Sequence, residues 1–126
     1  MESFLLNKEE IINNSEKCYA HTAENGKRKE TLKEHTEKCQ KYWSRIVKKK
    51  NLNSIFQKFE IEYLGKLSDE ASRLFRLMTA NVVTMHDLGK LNPRYQKNKM
   101  NHSWNLKFAP DNNIGSRHSI LSAVFY

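Results

Sequence analysis

Apolar residues recur every three or four positions along most of the first 90 or so residues, with charged residues between them. This spacing places the apolar side chains on one face of an α-helix. It predicts a long amphipathic helix over residues 29–49, a shorter helix from a cap at Ser54, and a third helix from a cap at Ser68. Asp69 and Glu70 would lie in the first turn of the third helix, where carboxylates stabilise the helix dipole. Helices therefore dominate this part of the chain.

Two glycines mark expected helix ends. Gly65 is expected to adopt the left-handed conformation that closes the second helix, and Gly89 is expected to stop the third. Residues 91–115 hold both prolines and no sustained period, which predicts a long loop with room for one short helical turn. A last helix is expected from Ser116, and its apolar ending without a stop signal indicates a domain truncated at its C-terminus.

These elements predict a single all-α domain of about four to six helices that spans residues 1–126. The chain has no internal repeat, no basic and apolar leader, and no apolar run near the roughly 20 residues that cross a bilayer. We therefore expect a cytoplasmic protein without a membrane partner. Cys18 and Cys39 belong to no Cys-x-x-Cys pair, which favours reduced thiols packed on helices over a disulfide or a zinc site.

The net charge is +8. An excess of this size favours a polyanionic partner such as nucleic acid, and a solvated basic surface explains it equally well. The run Lys48-Lys49-Lys50 has the same two interpretations, because basic residues also stabilise the last turn of a helix.

Three histidines fall on or beside predicted helices: His35 in the first, His86 at the end of the third and His118 at the start of the last. A buried imidazole needs a hydrogen-bond partner or a metal, and any one of these alone is more often a satisfied core side chain. With Asp87 beside His86, the combined donors favour a borderline divalent ion such as Mn, Fe, Co, Ni or Zn. Lys90 would then contact a metal-bound phosphate, or simply stabilise the helix C-terminus as a cation.

Residues 84–96, Thr-Met-His-Asp-Leu-Gly-Lys-Leu-Asn-Pro-Arg-Tyr-Gln, resemble the motif of the CRISPR-associated HD nuclease, the nuclease part of the type I interference nuclease-helicase. A His-Asp doublet alone is a weak signal, whereas His-Asp-x-Gly-Lys followed by Asn-Pro-x-aromatic-Gln is a strong one. Residues 19–22 and 30–35 are similar to that family's N-terminal segment, and residues 116–123 to its Arg-His helix. The resemblance covers nearly the whole chain.

The resemblance implies an HD-domain helical bundle that hydrolyses DNA phosphodiesters, chiefly in single strands, in type I CRISPR antiviral defence. By position, His35 would be the first metal ligand, His86 and Asp87 the metal-binding doublet, and His118 a ligand of the second metal. Asp87 would bridge the two ions, and Asp87 and Lys90 would be the catalytic residues. The implied cofactors are divalent ions (Mn, Mg, Ni, Co or Fe), two in the complete domain. The implied partners are single-stranded DNA, a superfamily 2 helicase domain or subunit, and a crRNA-guided surveillance complex.

Members of this family continue past the Arg-His helix to an adjacent His-His pair and a distant Asp, and neither occurs before Tyr126. The chain carries about half of the expected ligands, so we expect its own activity to be impaired. Two alternatives stay open: an HD-family nucleotide phosphohydrolase, which shares the doublet, and an inactive truncated remnant or binding module. The extension after the doublet and the basic charge favour the nuclease.

Basic residues next to the doublet are candidates for binding a DNA strand, and an aromatic side chain among them can stack on bases. Lys90, Arg94, Lys97 and Lys99 form this set, with Tyr95 between them. His21 lies in the family-like N-terminal segment and is expected at the surface or behind the ligands rather than on a metal.

Overall fold

The computed structural model describes residues 15–23, 28–65, 67–103 and 122. Helices dominate these residues, and the one sheet among them is a two-stranded antiparallel pair, so the predicted all-α class is confirmed. In chain order the elements are a 3-10 helix Ser15–Lys17, β1 Tyr19–His21, β2 Glu30–Thr31, α1 Leu32–Lys49, α2 Leu52–Phe59, a π-helix Glu60–Leu64, α3 Asp69–Met85, a 3-10 helix Leu88–Leu91 and α4 Pro93–Met100.

The first predicted helix is confirmed as α1, which begins a little later than expected because the preceding residues pair with β1. Thr31 and Glu34 form a capping box: the Thr31 side chain accepts from the Glu34 N–H at 3.2 Å, and the Glu34 carboxylate accepts from the Thr31 N–H at 3.0 Å. In the sheet, Tyr19 pairs with Thr31 and His21 with Glu30. This pairing fixes β1 against the start of α1.

The second helix departs from expectation at both ends. It begins at Leu52, after Asn51 in the left-handed conformation (φ 50°), and Ser54 lies inside its first turn, donating to the Asn51 side chain at 3.0 Å. It continues as the π-helix, and Gly65 follows with φ −62°, so the expected left-handed closure is wrong. The Gly65 N–H instead donates to the Glu60 carbonyl at 2.6 Å, which keeps the chain right-handed through the end of the π-turn.

The third helix begins as predicted, because the Ser68 side chain accepts from the Ala71 N–H at 3.1 Å and caps it. It ends at Met85, so the expected stop at Gly89 is wrong. Gly89 lies buried in the following 3-10 helix, where its N–H donates to the Ser122 hydroxyl at 2.9 Å. The chain therefore turns at the end of α3, where the His86-Asp87 doublet lies.

The segment expected to be a loop contains the eight-residue helix α4. Asn92 caps it by accepting from the Arg94 N–H at 2.9 Å, and Pro93 occupies its first position, where a missing N–H costs nothing. Asn-Pro is a signal for the start of a helix, so the sequence does indicate α4, although its apolar residues show only a weak helical period.

Polar contacts join α1 to α3. The Trp43 indole donates to the Thr79 carbonyl at 3.1 Å, and the Gln40 amide donates to the Thr84 hydroxyl at 2.8 Å. Together with the burial of Ala80 on α3, these contacts define the face of α3 that packs inward. They bring the end of α3 beside the first half of α1.

The helical spacing of apolar residues in the third predicted helix favours burial of Leu74, Met78 and Val82, but all three are exposed, by 56%, 38% and 40%. Tyr42 and Ile46 of α1 are also exposed, by 62% and 48%. No helix among the residues described is long and apolar enough to cross a membrane.

A small apolar core lies under the motif, between the sheet, the start of α1 and the 3-10 helix after α3. It consists of Cys18, Ala20, Leu32 and Leu88, with Met85 and Leu91 packed against it. Both cysteines are free, as predicted. Cys39 lies on a helix, but Cys18 lies in the bend before β1, so the expectation that both are helical is wrong for Cys18.

Candidate metal centre

Three of the predicted ligands converge where α3 ends against α1. The Asp87 Oδ2 atom lies 3.2 Å from His35 Nε2 and 3.3 Å from His86 Nε2. The rings of the two histidines are 5.6 Å apart between centroids. His35 comes from the first turns of α1, and the doublet from the turn that follows Met85, so the packing of α1 on α3 assembles the group.

Asp87 is buried, with 3% of its surface exposed, and Lys90 beside it is 5% exposed. The Lys90 ammonium donates to Asp87 Oδ2 at 2.7 Å. Burial opposes ionisation of Asp87, but hydrogen bonds from His86 and Lys90 outweigh it and hold the pKa of the carboxyl well below its usual range. The predicted catalytic lysine thus lies in the site and neutralises the carboxylate of the doublet.

The other ring nitrogen of His35 faces β1 and β2. His35 Nδ1 lies 3.1 Å from Glu30 Oε2 and 3.2 Å from His21 Nε2, and the second oxygen of Glu30 accepts from Lys38. Burial lowers the pKa of His35, which favours its neutral form, and the contact with Glu30 favours a proton on Nδ1. The Nε2 lone pair is then directed at the side of Asp87, which is the arrangement that a ligating histidine usually has.

His86 is the exposed member of the three side chains His35, His86 and Asp87, and its Nδ1 atom contacts the Val83 carbonyl. The hydrogen bond with Asp87 raises the pKa of His86 above its ordinary value, although burial acts in the opposite direction. A cation at this position would have to displace the proton that Asp87 favours.

Cys39 lies one turn after His35 on the same face of α1, and its Sγ atom is 3.5 Å from His35 Nε2. Burial raises the pKa of Cys39, as do the nearby carboxylates of Asp87 and Glu30. Among the residues described, two groups have ligand atoms that all lie within 4.8 Å of one another and are positioned to hold a metal ion. They are His35, Cys39 and His86, and His21, Glu30 and His35.

Sequence reasoning missed Cys39 and Glu30. The spacing of four between His35 and Cys39 is a signal in the sequence, because residues four apart share a helix face, but a single cysteine on a helix is more often packed than bound to a metal. Glu30 gave no comparable signal, since its role depends on the pairing of β1 with β2. His118 lies outside the described residues, so its role as a metal ligand stays a prediction.

Three of the four predicted strand-binding residues, Arg94, Lys97 and Lys99, lie on α4. Lys97 and Lys99 are exposed and Arg94 is half-buried. The helix is anchored by Gln96, whose amide contacts both β1 and the Lys90 carbonyl. Lys90 itself is directed inward at Asp87 and belongs to the candidate metal centre rather than to this surface.

A cavity of about 440 Å³ opens on the Glu30 side of the centre. Its wall carries basic and acidic side chains together, with Arg28 paired to Glu34 and Lys38 paired to Glu30. Its lining residues are His21, Thr22, Arg28, Lys29, Glu30, Glu34 and Lys38. The volume lies within the range of roughly 300–1,000 Å³ that holds small ligands.

No family model, curated protein or solved structure matches this chain.

Proposed function

We propose that the chain is an HD-type metal-dependent nuclease that hydrolyses phosphodiester bonds of single-stranded DNA in type I CRISPR defence. The observation that carries the proposal is the approach of His35 Nε2 and His86 Nε2 to one oxygen of Asp87, at 3.2 and 3.3 Å. Donor atoms about 2.1 Å from one tetrahedral ion lie roughly 3.4 Å from each other. The two measured distances are close to this value, which supports a divalent ion shared by Asp87 and the two histidines once Lys90 moves off the Asp87 oxygen.

The chemistry that a divalent ion supplies in such a site is activation of water and polarisation of the phosphoryl group. The chain's own residues set the conditions for it. Asp87 provides the negative charge in a buried position, and Glu30 orients His35 through Nδ1. Lys90 Nζ is the group proposed to bind a phosphate oxygen or to protonate the leaving oxygen, and it lies 2.7 Å from Asp87 Oδ2.

The proposed substrate is supported by charge. The chain carries a net charge of +8, and Lys97 and Lys99 are exposed on α4, the helix that continues from the motif. A strand bound by such residues is held mainly through its phosphates. The motif resemblance adds the proposed partners, a superfamily 2 helicase and a crRNA-guided surveillance complex, and a cytoplasmic location.

A second candidate is an HD-family nucleotide phosphohydrolase, and the cavity of about 440 Å³ beside Glu30 favours it, because it is large enough for a free nucleotide. A third is an inactive remnant, favoured by the ion pair of Lys90 with Asp87, which satisfies the buried carboxylate without a metal.

The test combines manganese binding with cleavage of fluorescently labelled single-stranded DNA at high protein concentration. We expect weak manganese binding and slow manganese-dependent cleavage, both lost in Asp87→Asn and both retained in Asp69→Asn, whose carboxylate is exposed at the start of α3. Hydrolysis of nucleotides with intact DNA would favour the phosphohydrolase. Absence of both binding and cleavage in the folded wild-type protein would overturn the proposal in favour of the remnant.

A further inference from the structure

The Cys39 thiol is a side chain of a type that can ligate a metal, and the motif does not include it. It lies at the fourth position after His35 on α1, and its Sγ atom is 3.5 Å from His35 Nε2. A nitrogen about 2.1 Å and a sulfur about 2.3 Å from the same tetrahedral ion lie roughly 3.6 Å apart. The distance between the two atoms is therefore the one that a shared ion requires.

His86 completes this arrangement from α3. The ligand atoms of His35, Cys39 and His86 all lie within 4.8 Å of one another, and the Asp87 carboxylate lies against both imidazoles. The group draws on two helices whose packing is fixed independently by the contacts of Trp43 and Gln40 with α3. Its geometry therefore does not depend on the presence of an ion.

The other group, His21, Glu30 and His35, shares His35 but contacts it on the opposite nitrogen. Glu30 is already engaged there, since one of its oxygens lies 3.1 Å from His35 Nδ1 and the other accepts from Lys38. A carboxylate on the far nitrogen is the usual partner of a histidine whose near nitrogen binds a metal. Glu30 thus orients His35, and the ion belongs on the Nε2 side with Cys39.

We propose that Cys39 is a thiolate ligand of the metal centre, and that the centre accordingly selects a borderline divalent ion such as Zn²⁺, Co²⁺ or Fe²⁺ over Mg²⁺ and Mn²⁺. The inference rests on the metal centre of the proposed function and deepens it by naming the class of ion. Thiolate donors favour softer ions, whereas carboxylate and water suit Mg²⁺ and Mn²⁺. On binding, the Cys39 S–H bond breaks, the sulfur keeps the electron pair for the metal, and the proton passes to solvent.

Cobalt substitution tests the inference on the full chain without any activity measurement. Co²⁺ bound to a thiolate gives a charge-transfer band in the near ultraviolet, in addition to the visible bands of the tetrahedral ion. We expect both features in the wild-type protein, and we expect Cys39→Ser to lose the charge-transfer band while keeping the visible bands. Cys18→Ala is the matched control, because it removes the thiol outside the centre, and we expect it to retain the charge-transfer band.

A second measurement needs no variant. Zn²⁺ should slow alkylation of Cys39 by iodoacetamide at least about tenfold, as mapped by peptide mass, while Mg²⁺ should leave it unchanged. Visible cobalt bands without a charge-transfer band, or alkylation that Zn²⁺ does not slow, would overturn the role of Cys39 and leave the metal centre standing. Absence of all cobalt bands would overturn the metal centre itself, and with it this inference.

Discussion

Replacing Gln96 with leucine should lower the free energy of unfolding by about 3–5 kcal/mol, because one buried amide joins three backbone groups. Gln96 has none of its surface exposed. Its Oε1 accepts from the Tyr19 N–H at 2.9 Å, and its Nε2 donates to the Tyr19 carbonyl at 2.9 Å and to the Lys90 carbonyl at 2.7 Å. The side chain therefore connects β1, the 3-10 helix after the doublet, and α4.

The magnitude follows from what leucine leaves behind. Leucine is close to glutamine in volume, so the cavity contribution is small, and the cost comes from groups that lose their partner. An unsatisfied buried polar group costs about 1–3 kcal/mol. The hydrogen bonds to Tyr19 are partly buried, so losing each one costs an amount near the lower end of this range. The hydrogen bond to Lys90 is buried, so losing it costs an amount near the upper end. Against a total stability of about 5–15 kcal/mol, the change is large.

Urea denaturation followed by far-ultraviolet circular dichroism measures the effect, with Gln57→Leu on the exposed surface of α2 as the matched control. The control should change the unfolding free energy by less than about 0.5 kcal/mol. A Gln96→Leu variant as stable as the control would refute the reasoning, because it would show that water or a neighbouring group satisfies the three backbone groups equally well.

Two further predictions concern stability. Ser68→Ala should lower the free energy of unfolding in urea by about 1 kcal/mol, since it removes the side-chain cap of α3. The control Ser72→Ala, one turn later, should leave the free energy of unfolding unchanged, and equal losses in the two variants would contradict the capping role. Burial, together with Glu16, raises the pKa of Cys18 from 9.0 to about 12, so the unfolded chain releases this proton first as the pH rises. The contribution of Cys18 is thus complete below about pH 9 and is lost between pH 9 and about 12, with a slope of up to about 1.4 kcal/mol per pH unit. Urea denaturation across this range should show a shallower decline in Cys18→Ala, and identical slopes would contradict the assignment.

The sequence predicts well those elements whose apolar period and cap lie within one continuous stretch of residues. α1 and α3 are long, amphipathic and capped by a side chain next to their first residue, so period and cap agree. The sheet was not predicted, because strands of three and two residues are too short to show an alternation of apolar and polar residues. The surface position of Leu74 was not predicted, because the apolar period favours its burial, whereas α3 contacts α1 through the Thr79 carbonyl and the Thr84 hydroxyl.

In the candidate site, too, the predictable residues are those that lie close together in the sequence. The doublet and Lys90 are close in sequence, so their proximity was foreseeable, although the burial of Lys90 against Asp87 was not. Cys39 and Glu30 acquire their places from tertiary packing, since each touches His35 from an opposite side. A motif identifies residues that are close in sequence, whereas the side chains that α1 and the sheet bring to the candidate site are identified only from the packed structure.

The charges around Asp87 show why Cys39 matters to a metal at this site. Lys90 already neutralises the carboxylate, and the lowered pKa of His35 favours its neutral form, so these three side chains together offer a divalent ion almost no net negative charge. Electrostatic attraction for the ion is then weak, and the ion pair competes with it. Burial and the nearby carboxylates raise the pKa of Cys39, so its thiolate would form only as a metal binds, and it would then add one negative charge within 3.5 Å of His35 Nε2. Under the proposed ligation by Cys39, an ion that favours thiolate would gain from this charge and Mg²⁺ would not, so the ion pair of Lys90 with Asp87 would favour softer ions over harder ones.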